Sequence, residues 1–266
     1  MRGISAKSLD EVLAAVSAAG SGSGGLGTEL FDVVATLDRE PALRRVLTDP
    51  STEAEAKAGL AQQIFGGKVS GDAVTVLRVA VSGRWASGRD LTDGLETAGV
   101  TALVASADSA GQLDDVETEL FEVGRLVRSD SELRQVISDR GLPSAAKGEL
   151  LSSLLSGKVS GTTLALASQA ATARTGSFER VLAAFGVIAA ERRSRLLAEV
   201  RVASELDESE KTRLGAALAK KYGRDVHLNV VVDPSIVGGI AVSVGDEVVD
   251  GTMSTRLEAA RRQLAG

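Results

Sequence analysis

Cysteine is absent from this chain, and with it go disulfides, zinc–thiolate centres and thiol nucleophiles. The absence fits a reducing compartment such as the cytoplasm. Histidine occurs once, as His227. A His-rich metal centre is excluded, and a Ser-His-Asp arrangement would hang on that residue alone. His227 stands between Val226 and Leu228 in an apparent strand, which reads as a strand-face or surface position. Aromatic residues make up only 3% of the chain and the net charge is −6. A protein that stacks nucleic-acid bases needs more aromatics and a basic balance, so no nucleic-acid partner is expected. No apolar run approaches the roughly 18 residues of a membrane span, and the opening MRGISAKSLDEVL lacks a signal-peptide core. Membrane association is expected only through partners. No lysine follows a glycine pair in P-loop spacing and no GxGxxG opens a helix, so nothing marks a nucleotide site.

What the chain does have is 44% hydrophobic residues, mostly Ala, Leu and Val, a composition suited to helices packed at close distance. Leu9, Val12, Leu13 and Val16 fall on one face of a first helix, near Ser5 to Ala18. Gly20 to Gly27 reads as a Gly/Ser connector. Helices follow around Leu30 to Leu37, Leu60 to Phe65, and Val74 to Val81, the last capped by Ser70, while Leu43, Val46 and Leu47 read as a short apolar turn before Asp49-Pro50. Leu91 to Ala105 reads as another, although Gly94 and Gly99 each cost it about 1 kcal/mol relative to alanine.

The front of the chain repeats itself. Residues 29–87 align without a gap on residues 119–177, with 19 identities in 59 positions. Glu29-Leu30-Phe31 recurs as Glu119-Leu120-Phe121, Ala56-Lys57 as Ala146-Lys147, Arg84 as Arg174, and GKVSG at Gly67 is unchanged at Gly157. A 90-residue offset is too long for the usual solenoid repeats of roughly 20–50 residues, so each copy is expected to be a small helical bundle. Leu43, Val46 and Leu60, with their copies, are expected in the core. In GKVSG the glycine suits a left-handed helix end and the serine a cap, while Lys68 and Lys158 read as solvated rather than phosphate-binding. Trp85 has no counterpart, Thr175 occupying the matching position of the other copy, and is either a core plug or an interface anchor. A long helix from Phe178 to Arg195 closes the second copy, its basic end matched to the helix dipole.

Beyond it the period changes to two. Ala198, Val200 and Val202 alternate with Glu199 and Arg201, as in a half-buried strand. Asp207 and Glu210 make a capping box for a helix bearing Leu214, Leu218 and Tyr222. Val226 to Val232 is the next strand, ended by Asp233-Pro234. Gly238-Gly239 then marks a bend before Ile240 to Val244, Gly245-Asp246-Glu247 a hairpin turn, and Thr252 the cap of a final helix carrying Leu257. The fold class expected is mostly α with a small α/β C-terminal domain: tandem helical bundles over residues 1–105 and 106–195, then a strand-helix-hairpin domain over residues 196–266.

The run VDPSIVGGIAVSVGDEVVDGTMSTRL, from Val232 to Leu257, resembles the C-terminal signature of the delta subunits of F-type ATP synthases, the family that includes the mitochondrial oligomycin-sensitivity-conferring protein. Pro234, Gly238, Gly239, Asp246, Asp250, Gly251 and Leu257 stand where that motif has its residues, and Thr252 replaces its usual serine. The helical copy from about Leu113 to Arg195 is similar to the family's N-terminal bundle; the extra copy ahead of it departs from ordinary members and matches extended forms among actinobacterial relatives. The resemblance implies a non-catalytic peripheral-stalk subunit serving ATP synthesis and proton transport, with no catalytic residue, cofactor or metal. It implies alpha subunits of the catalytic head and membrane-anchored b subunits as partners, torque resistance as the task, and the cytoplasmic face of the cell membrane as the place. Two readings stand beside it: a free-standing adaptor for an amphipathic helix, and an enzyme whose Asp246, Asp250 and His227 converge in a pocket.

Overall fold

A computed structural model describes residues 3–20, 25–139, 141–172, 174, 176–193, 196–204, 206–222, 226–233, 236, 238–244 and 247–250. The chain divides into two compact units, Met1–Arg193 and Ser194–Gly266. The first holds α1 (Ile4–Ala19), α2 (Leu26–Arg39), α3 (Pro41–Thr48), α4 (Ala54–Phe65), α5 (Gly71–Ser82) and α6 (Gly88–Ser109). It continues with α7 (Leu113–Ser129), α8 (Ser131–Ser138), α9 (Ser144–Leu155), α10 (Gly161–Ala171) and α11 (Phe178–Arg193). Adding 90 to the bounds of α3 and α4 gives those of α8 and α9, so the repeat read from the residues is also a repeat of helices.

The helix ends follow local chemistry. Pro41 opens α3, where its missing N–H is no loss. Ser70 and Ser160 accept from the backbone N–H of Ala73 and Thr163 at 3.2 Å, capping α5 and α10. The glycine of each GKVSG is left-handed, at φ 78° for Gly67 and 73° for Gly157.

Two cores form. Val12, Leu30, Leu37, Leu77, Leu91 and Leu95 centre the first. Leu120, Val123, Leu151, Leu166, Leu182 and Phe185 centre the second. Each fully buried leucine of this kind is worth roughly 1.5–3 kcal/mol relative to exposure. Helix α6 serves both: Leu91, Leu95, Ala98 and Ala102 face the first core, while Val100, Leu103, Val104 and Ala107 belong to the second. It is longer than the 91–105 expected, and a bundle boundary drawn after residue 105 falls inside it.

The glycines that weaken α6 as an isolated helix are where neighbours come close. A Cβ on Gly94 would lie 2.5 Å from Cη2 of Trp85, and one on Gly99 2.6 Å from Cε1 of Phe31. Trp85 is thereby placed as a plug of the first core, its Nε1 donating to the Ala80 carbonyl at 2.7 Å. Gly27 of α2 sits against the same helix, where a Cβ would be 2.6 Å from the Gly99 carbonyl oxygen.

Two readings of this region change. Val46 and Val136, expected in the core, are 47% and 40% exposed; the one-residue neighbours Leu47 and Ile137 are buried instead, at 0% and 3%. In an eight-residue helix the inward stripe is Leu43 and Leu47, four apart, which turns Val46 outward. The first helix docks through polar groups as well as apolar ones. Ser5 and Ser8 are buried, and Ser8 Oγ donates to the Arg84 carbonyl at 2.7 Å while accepting from the Arg84 N–H at 2.9 Å. Ser5 Oγ donates to Asp90 and accepts from the Ala86 N–H at 3.0 Å, so the two serines stitch α1 to the connector before α6.

The second unit contains β1 (Leu196–Val202), α12 (Glu208–Tyr222), β2 (Val226–Val232), β3 (Ile240–Val244) and β4 (Glu247–Asp250). The sheet runs β2-β1-β3-β4, with β1 and β2 parallel and the other pairs antiparallel. Asp207 Oδ1 accepts from the Glu210 N–H at 2.7 Å and Glu210 Oε2 from the Asp207 N–H at 2.9 Å, the reciprocal capping box expected. Val200, Val202, Leu218 and Val242 form the core between helix and sheet. Val244 pairs with Glu247, so β3 and β4 are joined by a two-residue hairpin connection. Gly239, at φ 86°, leads into β3 in a conformation that favours glycine. The final helix expected from Thr252 lies outside the described residues.

Candidate functional site at the junction of the repeats

The most similar stretches of the two copies, Glu-Leu-Phe and GKVSG, are one hydrogen-bonded unit in each. Ser70 Oγ donates to Glu29 Oε2 at 2.5 Å. In the second copy Glu119 accepts from the Ser160 N–H at 3.0 Å, from Ser160 Oγ at 2.7 Å and from Thr163 Oγ1 at 2.6 Å. Burial pushes the Glu119 carboxyl up, but the bonds donated by Thr163 and Ser160 outweigh it and hold the group below the ordinary glutamate value. The repeated glutamate thus fixes the start of the α5 or α10 helix against α2 or α7. Lys68 and Lys158 are exposed beside this unit, as solvated side chains are. Lys57 and Lys147, another repeated pair, are only 5% and 8% exposed, their stems packed among the helices.

Where the copies meet, the polar groups converge on Arg174. Its guanidinium reaches Asp38 of α2 at 2.7 Å, and Asp93 and Glu96 of α6 at 2.8 and 3.0 Å. Arg44 holds the other oxygen of Asp38 at 3.1 Å, and Gln169 of α10 donates to Glu96. The Arg174 side chain is 14% exposed. Burial raises the Glu96 carboxyl against the opposing pull of Arg174 and Gln169. Beside this lock lies a cleft of ≈ 1070 Å³ between α2 and the α9–α10 pair, lined by Phe31, Asp38, Arg44, Ala165, Ser168 and Gln169. In the sequence Arg174 stands out only as the copy of Arg84. Its partners lie 136, 81 and 78 residues away, beyond any local pattern.

Two residues of the catalytic alternative stand on different strands. His227 is on β2 and Asp250 on β4, opposite edges of the four-stranded sheet, three strand spacings or about 14 Å apart. Asp246 lies outside the described residues. Among those described, no group of three or more His, Asp or Glu side chains is arranged to hold a metal ion, and no helix is long and apolar enough to cross a membrane. Of the C-terminal motif, Gly238 and Gly239 precede β3 and Asp250 pairs with Ala241 at the end of β4. Pro234, Gly251 and Leu257 lie outside the described residues.

These features define a helical protein whose first unit holds two cores, joined internally by a polar lock, followed by a small α/β unit. The model of the ATP synthase delta (OSCP) subunit family matches residues 100–264, and the chain belongs to that family. The match opens inside α6. An ATP synthase subunit delta of Streptomyces griseus is 48% identical over 242 residues, 91% of this chain and 89% of that one. One from Thermobifida fusca is 43% identical over 269 residues, the whole of both chains, so that relative shares the first copy too. A chain in the cryo-electron microscopy structure of the Toxoplasma gondii mitochondrial ATP synthase hexamer aligns at 17% identity, over 63% of this chain and 95% of that one. Its TM-score of 0.27 is too low for the overlay to speak for the arrangement here.

Proposed function

We propose that this chain is the non-catalytic peripheral-stalk subunit that ties the catalytic head of an F-type ATP synthase to its membrane-anchored b subunits, at the cytoplasmic face of the membrane. The observation that carries the reading is the family match from α6 to residue 264, which spans the second helical copy and the α/β unit together. The physics of the first unit supports it. Bundles of short helices offer grooves to an amphipathic partner helix, and the ion-pair lock resists sliding of one copy over the other. In this proposal the two copies are bundles of one architecture, the helical unit grips N-terminal helices of alpha subunits, and the α/β unit grips b. The subunit then bears the reaction to rotor torque without taking part in the chemistry.

Calorimetric titration of the full chain with a peptide from the N-terminus of the alpha subunit of the same organism tests the first half. Saturable binding supports it; a folded chain that does not bind the peptide overturns it. A chain ending at Arg193 should keep that binding and fail to recruit b. Retained recruitment of b would overturn the division of labour.

A further inference from the structure

Phe31 and the acids of the lock occupy one side of the α2–α6 pair, and the second copy closes that side. Phe31 is 8% exposed and belongs to the second core cluster, while Asp38, Asp93 and Glu96 are taken by Arg174 and Gln169. Ninety residues on, the same side of the α7–α11 pair is open. Phe121 is 71% exposed, Ala183 and Ala190 are exposed, and a Cβ on Gly186 would meet nothing within 4 Å. The positions of Asp38, Asp93 and Glu96 are held here by Arg128, Ala183 and Gly186.

We propose that this open side of α7 and α11 seats one amphipathic helix of a partner subunit, lying along Phe121, Ala183, Gly186 and Ala190 with an acidic side chain over Arg128. The proposal rests on the stalk reading and assigns it a surface. The first copy says what kind of element fits, because on its equivalent side a helix, α10, comes up to α6, Gln169 donating to Glu96 while Ala165 and Ser168 line the cleft opposite Phe31. Small residues on α11 let a helix backbone come close, and Phe121 supplies the large aromatic anchor typical of binding hot spots. A second copy of this chain is a poor occupant. It would offer Arg84, the exposed counterpart of Arg174, to a face where Arg128 has replaced Asp38.

The lack of native cysteine makes the test clean. Phe121→Cys and, as control, Val46→Cys are introduced singly into the full chain. Their maleimide labelling rates are compared free and with the purified catalytic head of the same organism. Labelling should slow at least about tenfold at position 121 and stay unchanged at 46. Phe121→Asp, at an exposed site that leaves the urea midpoint unmoved, should weaken binding of the head about 30-fold, the loss of one hot-spot anchor. Undiminished labelling and affinity, with wild type still bound to the head, would overturn this surface and leave the stalk reading standing. Protection of position 121 by self-association of the chain alone, seen in sedimentation, would give the face to a second copy and also overturn it. A wild-type chain that ignores the head would remove the stalk reading and this proposal with it.

Discussion

The two copies share their caps and differ on their flanks. The Glu29–Ser70 unit of the first is rebuilt at Glu119–Ser160 in the second, and the left-handed glycine and serine cap recur. The helix pairs beside those caps are packed differently. Gly27 and Gly99 let α2 and α6 approach until neither has room for a Cβ, whereas Glu117 and Ala189 stand at the equivalent places in α7 and α11. One phenylalanine is sealed between copies and its counterpart is left in solvent. The difference teaches that the duplication retains the hydrogen bonds that set each copy's helix starts, and specialises the side where one copy meets the other.

The comparison breaks most sharply at the lock. Arg174→Ala leaves Asp93 and Glu96 without their cation and Asp38 with Arg44 alone, and should cost about 3 kcal/mol, the lower end for a buried pair that loses one member. Arg84→Ala, at the exposed copy of the same residue, is the paired control; its effect comes last below. Gly27→Ala should cost about 1–3 kcal/mol, because the new Cβ meets the Gly99 carbonyl and the Leu103 side chain and backbone cannot yield as a rotamer can. Ser160→Ala removes the α10 cap and the hydroxyl bond to Glu119, and should cost about 1 kcal/mol, with Ser70→Ala at or below it. Urea midpoints of the full chain read all of these.

The pH dependence sharpens the contrast further. Glu119 is held below the ordinary glutamate value of about 4.3, so its contribution is present above that value and lost as pH falls through the lower folded one. Glu96 is raised by burial, so its contribution is present below the ordinary value and lost as pH rises through the folded one. Glu119→Gln should therefore flatten the acid side of a stability profile, and Glu96→Gln the slope of opposite sign above it. A profile in which both substitutions moved the same limb would contradict these assignments. The smallest expected effect is that of Arg84→Ala, within about 0.5 kcal/mol of wild type.

Much of this was legible in the residues because it is written locally. The helices of the front, the Asp207–Glu210 box, the strand from Val226 to Val232 and the repeat itself rest on periodicity, caps and identity along the chain. Gly94 and Gly99 show only a helix-propensity cost in the local pattern, since the rings that need their missing Cβ atoms arrive from Trp85 and from Phe31. Val46 could not be told from Leu47 by spacing in so short a helix. The lock, the buried Ser5 and Ser8, and the exposure of Phe121 depend on groups 73 to 136 residues apart, or on which copy has a neighbour; neither has a signature in the local pattern.

Because α6 belongs to both cores, the copies are joined by a continuous hydrogen-bonded rod of 22 residues, about 33 Å long, and not by a loop. The angle between them is therefore a matter of helical phase. One residue inserted between Gly99 and Val100 would turn the second copy by about 100° relative to the first and carry Glu96 away from Arg174 while leaving each cap intact.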